Sequence, residues 1–263
     1  MKLGFAGTGR FGARVLEGLA GRRPVEVVLT RPDRPSGRGR RVRTGPVKAL
    51  AESLGIPVLE PERLDASVEV PADAVVVADY GALVPQVLLE RALWLNVHPS
   101  LLPRWRGAAP VERALLAGDA ETGVTIHRTV KELDAGPIAA QRAFPVEPDD
   151  DAGAVYERAA DLAVELLDEV LPDPEFRPQP DEGATYAKKI EAVDRELDPS
   201  RPAEENLNRI RALSPHIGAR GEVDGRPVIV WRARVDDGVL VPLEVQAEGR
   251  RRMTYDEFRR GLR

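Results

Sequence analysis

The sequence predicts an α/β protein whose main domain is built on a doubly wound sheet of parallel strands. Over residues 1–145, short apolar runs alternate with helical patterns. The apolar runs are nearly continuous, which is typical of strands covered on both faces. A glycine-rich turn, FAGTGRFG, lies between the first apolar run and the first helical pattern. We therefore expect right-handed strand–helix–strand units in this part of the chain.

The predicted elements of this domain follow one another along the chain. Four strands are expected, at Lys2–Ala6, Val25–Thr30, Ala74–Ala78 and Trp94–Val97. Two helices are expected between them, at Arg10–Ala20 and Gly45–Gly55, and a strand pair after them, at Thr122–Val130 and Gly136–Phe144. A long amphipathic helix at Asp150–Leu171 completes the domain, and its N-terminal aspartates are favoured by the helix dipole.

The chain changes character at residues 172–200, where the proline-rich stretch PDPEFRPQP cannot continue a helix and predicts an extended linker. Residues 201–263 predict a second, smaller domain. Its expected elements are a helix at Arg201–Leu213, strands at Gly218–Val223, Arg226–Val235 and Gly238–Ala247, and a last helix with Thr254 as its N-cap.

Composition excludes several kinds of site. The 263 residues carry a net charge of −5 and include no cysteine, which rules out disulfides, zinc–thiolate centres and a cysteine nucleophile. No stretch approaches the ~20 apolar residues that span a membrane. The first residues also lack the pattern of a signal peptide. We expect a cytoplasmic protein without a membrane partner.

One segment is strongly basic within this acidic chain. Arg31–Lys48 contains seven basic residues and one acidic residue. A basic loop on an acidic body indicates contact with a polyanion at that place, and a solvated loop is the alternative.

The first turn has the spacing of a dinucleotide-binding loop, formed by Gly7, Gly9 and Gly12. Such a loop needs an acidic residue about 20 residues on, at the end of the second strand, to hold a ribose hydroxyl. That strand ends instead in LTRP, where Arg31 could accept a 2′-phosphate. The alternative is that the glycines allow a tight turn and close helix–sheet packing.

The densest polar stretch, LNVHPSLLPRWRGAAP, begins where a predicted strand ends. Open α/β sheets place ligands at such ends. Asn96 and His98 are two residues apart, so they share one side of the strand. An amide can donate to a developing oxyanion, and an imidazole can transfer a proton near neutral pH. The alternative is a strand end that is tied into a turn.

A carboxylate follows in KELDAGPI, where Asp134 could orient His98 or relay a proton, or could simply form an Asx-turn. Arg104, Trp105 and Arg106 stand between prolines in a loop, which indicates binding. The other two histidines, His127 and His216, are assigned structural or surface roles.

The stretches NVHPSLLPRWRGAAP and GDAETGVTIHRTVKELDAGPI make the chain similar to a known family. They resemble the formyltetrahydrofolate-dependent formyltransferases, and among these the methionyl-tRNA formyltransferases. The resemblance implies a Rossmann-like, doubly wound formyltransferase domain at 1–171, a linker at 172–200, and a short, tRNA-binding C-terminal β-barrel domain (OB-like) at 201–263. The family has proline where this chain has Gly9, and its C-terminal domain is longer.

The resemblance implies transfer of a formyl group from 10-formyltetrahydrofolate to the α-amine of methionyl initiator tRNA. Asn96 and a protonated His98 would stabilise the oxyanion, and Asp134 would keep His98 charged and oriented. No metal is expected, and we expect a monomer. The residues expected to bind the folate are Ser100, Leu101, Leu102, Pro103, Tyr80 and Gly81. Those expected to bind tRNA are Arg38, Arg40, Arg41, Arg43, Arg104, Trp105 and Arg106.

Three alternatives stay open from the sequence. A related formyltransferase acting on an amino sugar nucleotide or on glycinamide ribonucleotide would share the Asn–His–Asp set. An NADP-dependent oxidoreductase would use the glycine-rich loop and Arg31. A non-catalytic RNA-binding module would use the basic segment alone.

Overall fold

The computed structural model describes residues 1–33, 35–36, 41–42, 44–171 and 173–261. By compactness the described chain forms two units. The first contains residues 1–106, 123–143 and 157–185, and the second contains residues 107–122, 144–156 and 186–263. The division into functional domains at 1–171, 172–200 and 201–263 stays a prediction.

The first unit is built on a seven-stranded sheet. In chain order its strands are β1 (Leu3–Gly7), β2 (Val27–Leu29), β3 (Val58–Leu59), β4 (Ala74–Ala78), β5 (Leu93–His98), β6 (Glu121–Arg128) and β7 (Ile138–Pro145). In space they are ordered β7-β6-β5-β4-β1-β2-β3. The pairs β1–β2, β1–β4, β2–β3 and β4–β5 are parallel, whereas β6 runs antiparallel to β5. The predicted doubly wound sheet is confirmed.

Helices α1 (Arg10–Ala20), α2 (Pro46–Ser53) and α3 (Gln86–Leu89) connect the strands, and α5 (Ala152–Val170) follows β7. Burial explains the apolar runs, since every residue of β1 and β4 is buried. Helices α1 and α5 approach closely at Gly18, where a Cβ would lie 2.6 Å from Val164. Asp151 accepts a hydrogen bond from the backbone amide of Ala154, as expected for an aspartate at the start of α5.

The second unit contains α4 (Pro110–Ala117), α6 (Ala203–Leu213), α7 (Tyr255–Arg260) and an antiparallel sheet. The sheet strands are β8 (Ala219–Val223), β9 (Arg226–Asp236), β10 (Val239–Ala247) and β11 (Met253–Thr254), paired in that order. The side chain of Thr254 caps α7 in a reciprocal box with Glu257, which confirms the predicted N-cap.

Where the sequence predicts an OB-like barrel, the structure shows an antiparallel sheet. In the part of the chain that the structure describes, β8 and β11 are not paired with each other, so these four strands form an open sheet. Ile210, Val228, Val230, Val245 and Phe258 form the core between this sheet and its helices.

Candidate active site

The order of the parallel strands reverses between β1 and β4, and this is where open α/β sheets bind ligands. Here the glycines of the first turn pack closely against the end of β4. A Cβ at Gly7 or Gly12 would lie 2.7 or 2.5 Å from the backbone oxygen of Ala78. A Cβ at Gly9 would lie 1.9 Å from a carboxylate oxygen of Asp79. The interpretation of these glycines as packing residues is confirmed.

Asp79 is a carboxylate in this crevice that the sequence analysis does not single out. It follows β4 with a left-handed backbone (φ 53°), and the backbone N–H of Gly9 donates to its carboxylate. The side chain is exposed, yet the protein atoms around the crevice replace part of its hydration. This desolvation raises the pKa of Asp79 to about 6 and outweighs the Gly9 hydrogen bond, which lowers it.

Asp79→Asn is expected to raise the melting temperature at pH 7.5 but not at pH 4. Because its folded-state pKa is raised, Asp79 costs stability as pH rises from about 4 to 6, and the full cost remains above that range. Solvent screening of the exposed side chain reduces the cost to about 1 kcal/mol, or roughly 2–4 °C. Asparagine also tolerates the left-handed backbone. Thermal unfolding at both pH values measures the effect, with Asp73→Asn as the exposed control. An equal gain at both pH values would contradict the electrostatic account.

Strand β5 and the loop before β7 bring the three expected catalytic side chains together. The Asn96 side-chain nitrogen Nδ2 donates to Oδ1 of Asp134 at 3.2 Å. Nδ1 of His98 lies 3.8 Å from Oδ2 of the same carboxylate. Asp134 adopts a left-handed backbone (φ 48°) that turns its side chain into this cluster. The arrangement unites an amide donor, an imidazole and a carboxylate within one small site.

The environment of His98 favours the neutral imidazole, whereas the resemblance implies a protonated one. Its ring is buried, and Nε2 lies 2.8 Å from the backbone oxygen of Trp105, which can only accept. Nε2 therefore carries the proton. Desolvation lowers the pKa of His98 and outweighs the opposing effects of Asp134 and of the Trp105 hydrogen bond. A neutral imidazole with Nε2–H leaves Nδ1 as a proton acceptor beside Asp134.

His127, assigned above to a structural or surface role, belongs to the same cluster. It pairs directly with Asn96 in the β5–β6 register. Its Nε2 lies 3.1 Å from Nδ2 of Asn96 and 3.7 Å from Oδ1 of Asp134. The sequence analysis predicted β6 as a strand paired with β7 but not the pairing of β6 with β5, so it missed the register that places His127 opposite Asn96.

The segment Ser100–Pro103, expected to bind folate, is fixed to the sheet by polar side chains. Thr125 Oγ1 donates to the backbone oxygen of Ser100 at 2.7 Å, and Gln141 Nε2 donates to that of Leu102 at 2.8 Å. Ser100 and Leu102 are themselves buried. Their side chains therefore support the loop, and partly exposed Leu101 and Pro103 remain for contact with a ligand.

Tyr80 and Gly81 follow β4, the strand next to β5. The Tyr80 side chain is buried in an apolar cluster, and its backbone oxygen accepts from Oγ1 of Thr8 at 2.9 Å. Gly81 is exposed with a positive φ of 68°. Of these two residues, only Gly81 is exposed to solvent at this edge of the sheet.

Arg106 differs from the expectation of a tRNA contact. It is 6% exposed, and its guanidinium donates from Nε and Nη2 to Oε1 of Gln179, at 3.1 and 2.8 Å. Gln179 Nε2 in turn donates to the backbone oxygens of Asp134 and Gly136, both at 2.8 Å. Arg106 is therefore an internal support for the Asp134 loop, because a buried and paired guanidinium is not presented to a nucleic acid. Gln179 lies in the predicted linker and was missed for that reason.

The other two residues of the RWR motif remain at the surface. Both are partly exposed, and the Arg104 guanidinium carbon stacks 4.2 Å from the centre of the Trp105 ring. Trp105 has a left-handed backbone (φ 66°), and its N–H donates to Oγ1 of Thr185 at 2.9 Å.

Three of the four arginines of the basic segment that are expected to bind tRNA lie outside the described residues. Arg38, Arg40 and Arg43 are outside the described residues, and Arg41 is described only as part of a short backbone strand, Arg41–Val42, paired with Pro35–Ser36. At the end of the segment, Lys48 forms ion pairs with Asp33 and Glu60 at 2.9 and 2.8 Å.

The described residues contain neither a candidate metal site nor a helix that could span a membrane. Among them, no group of three or more histidine, aspartate or glutamate side chains is placed to hold a metal ion. No helix within the described ranges combines the length and apolar character needed to cross a membrane.

Comparison with known proteins agrees with this geometry. A family model described as formyl transferase matches residues 1–171. A methionyl-tRNA formyltransferase from Halorhodospira halophila is 46% identical over 250 residues, covering 89% of this chain and 80% of that protein. One from Thermus thermophilus is 41% identical over 293 residues, covering 99% and 96%.

Among solved structures, an N-formyltransferase from Helicobacter canadensis, in complex with folinic acid and dTDP-3-aminofucose, has a similar fold. Its TM-score is 0.70 at 16% identity, and the match covers 97% of this chain and 98% of that chain. The similarity to the relatives above extends over nearly the whole sequence, through both compact units. The chain therefore belongs to the methionyl-tRNA formyltransferases of the formyl transferase family.

Proposed function

We infer that this protein transfers a formyl group from 10-formyltetrahydrofolate to the α-amine of methionyl initiator tRNA. The observation that carries this inference is the cluster of Asn96, His98 and Asp134 in a chain that matches methionyl-tRNA formyltransferases over most of its length. The cluster supplies what acyl transfer to an amine requires, namely a proton acceptor, a carboxylate partner and an amide donor.

The α-amine attacks the formyl carbon, and the new N–C bond gives a tetrahedral intermediate. An α-amine has a pKa of roughly 7.7–8.0, so part of it is already neutral at pH 7. Neutral His98 accepts the amine proton at Nδ1, and Asp134, 3.8 Å away, stabilises the imidazolium that forms. His98 returns the proton to the folate nitrogen as the C–N bond to the folate breaks. Atoms and charges balance without a metal.

Asn96 donates to the oxyanion of the intermediate. Its Nδ2 already donates to His127 Nε2 at 3.1 Å and to Asp134 Oδ1 at 3.2 Å, so it shares one of these hydrogens with the oxyanion. Contacts of this kind tighten when the charge that they stabilise develops. One donor of this type contributes about 100-fold or more to acyl transfer.

Folate binds along the edge formed by the ends of β4 and β5. Leu101 and Pro103 offer partly exposed apolar surface, and the network of Thr125 and Gln141 holds their loop in place. Apolar surface beside fixed polar backbone groups suits a pterin and its benzoyl arm. Exposed Gly81 supplies backbone at the neighbouring strand end.

The tRNA binds through the basic segment, through Arg104 and Trp105, and through the C-terminal residues 201–263. The stacked Arg104–Trp105 pair is suited to a base or a sugar–phosphate contact. We expect the C-terminal residues to act as a small tRNA-binding domain of the OB-like kind, and the protein to act as a monomer.

Neutralising Arg38, Arg40, Arg41 and Arg43 together is expected to weaken tRNA binding and to flatten its salt dependence. If each arginine contacts one phosphate, the slope of log K against log salt decreases by about 3 to 4. Binding titrations between 50 and 200 mM salt measure the slope. Arg14→Gln with Arg142→Gln, two exposed arginines elsewhere, is the control. An unchanged slope would remove this segment from the tRNA site.

The proposed function is tested by formylation with purified protein, 10-formyltetrahydrofolate and methionyl initiator tRNA. We expect formyl-methionine from the native chain, about 100-fold less from Asn96→Ala, and normal product from Gln86→Ala, an exposed amide control. Folate binding without product would contradict methionyl initiator tRNA as the formyl acceptor. It would favour an amino sugar nucleotide as the acceptor, since the site of Asn96, His98 and Asp134 would still bind a formyl donor.

A further inference from the structure

His127 occupies an unusual place for a histidine that the proposed mechanism does not use. It is 1% exposed and lies in β6, directly opposite Asn96. Its ring stands edge-on to that of His98, with 6.2 Å between the ring centres. Asn96, Asp134 and His98 are therefore all neighbours of one buried imidazole.

The hydrogen-bond partners fix the tautomer of this imidazole. Nδ1 lies 3.1 Å from the backbone oxygen of Arg128, which can only accept, so Nδ1 carries the proton. Nε2 faces the amide nitrogen of Asn96, which can only donate, so Nε2 is the acceptor. Its hydrogen-bond donor is Nδ2 of Asn96, at 3.1 Å.

Two acceptors therefore determine which way the Asn96 amide faces. Asp134 Oδ1 and His127 Nε2 both require the NH₂ group. If the amide were rotated, its oxygen would face the Asp134 carboxylate and the lone pair of His127 Nε2. Two hydrogen bonds would be lost, and electrostatic repulsion would be added. With Asp134 alone, a single hydrogen bond would hold the amide at one corner and leave its plane free to turn.

We propose that His127 is a positioning residue for formyl transfer, because the acceptor Nε2 of its imidazole fixes the plane of the Asn96 amide against Asp134. The inference rests on the proposed function and adds a residue to it. His127 itself contacts neither substrate, and it acts only through Asn96. Its removal therefore affects the rate of the chemical step and leaves the binding of both substrates unchanged.

The test is a double-mutant cycle between His127 and Asn96. His127→Met removes the acceptor but keeps an apolar side chain of adequate length, and His127→Gln keeps an acceptor oxygen. Ile126→Met is the control, because Ile126 is equally buried in the same strand but faces the other side of the sheet. The kcat, the KM for each substrate and the melting temperature are measured for every variant.

We expect His127→Met to lower kcat about tenfold with each KM changed less than about twofold, since one well-aligned hydrogen bond is lost. His127→Gln restores most of the rate. In the Asn96→Ala background, His127→Met causes less than about a twofold further loss, because the two residues act as one unit.

Three results would overturn the inference. One is an active native enzyme whose kcat is unaffected by His127→Met. A second is a loss that is the same in the Asn96→Ala background. A third is a loss that Ile126→Met reproduces with an equal fall in melting temperature. An inactive native chain is a separate result, because it overturns the proposed function before His127 is considered.

Discussion

Asp134→Asn is expected to reduce kcat about 1,000-fold while the protein remains folded. The reason is charge. The carboxylate lies 3.8 Å from Nδ1 of His98 and 3.2 Å from Nδ2 of Asn96, and only an ionised group stabilises the imidazolium formed in the reaction. Loss of a proton-transfer partner in such a site typically costs 10²–10⁴-fold. Asparagine adopts the left-handed backbone of position 134 readily, and the carbonyl that Gln179 holds is unchanged.

Single-turnover formylation measures this effect directly, because it separates the chemical step from product release. Glu132→Gln is the matched control, being an exposed carboxylate in the same loop. Two outcomes would count against Asp134 as a partner of His98. They are a kcat within tenfold of the native value, and an equal loss in Glu132→Gln.

The second large effect concerns His98 and pH. If neutral His98 accepts the amine proton, kcat decreases as pH falls through the pKa of its imidazole. Burial lowers that pKa, so the acid limb lies below the ordinary value of about 6.5. Below the limb, kcat falls about tenfold for each pH unit, because only the neutral ring accepts a proton.

His98→Gln is expected to lower kcat about 1,000-fold and to remove the contribution of His98 to this acid limb, since glutamine does not titrate. The α-amine, with a pKa of roughly 7.7–8.0, still titrates in this variant. The measurement is the pH profile of kcat from pH 5 to 8, and His216→Gln, at an exposed histidine, should leave the profile unchanged. A kcat that instead falls as pH rises through the pKa of His98 would indicate that His98 works as an imidazolium, as the sequence analysis expected.

Much of the fold could be predicted because its signals are local. The predicted bounds of β4 and α1 agree with the structure at both ends, since β4 is a run of apolar residues and α1 alternates apolar and polar faces. The Thr254 cap was also predicted correctly from a short pattern. The small helix α4 and the edge strand β3 were not predicted, because short segments carry little periodicity.

The cluster at Asn96 could be predicted in part for the same reason. Asn96 and His98 are two residues apart in one strand, and Asp134 belongs to a recognisable motif. His127 required knowledge of a strand register, and Gln179 required a contact across 45 residues of chain. The protonation state of His98 depends on burial, which no local pattern reports.

Gln179 has a consequence for how this chain can be recombined with its relatives. The family match ends at residue 171, yet Gln179 bridges Arg106 to the loop of Asp134, and Thr185 holds the backbone of Trp105. A crossover at residue 171 would deprive a buried guanidinium and two carbonyls of their partner, at about 1–3 kcal/mol for each neutral group. A chimaera that exchanges the C-terminal domain should therefore keep this chain through residue 185, so that the catalytic loop is inherited together with its support.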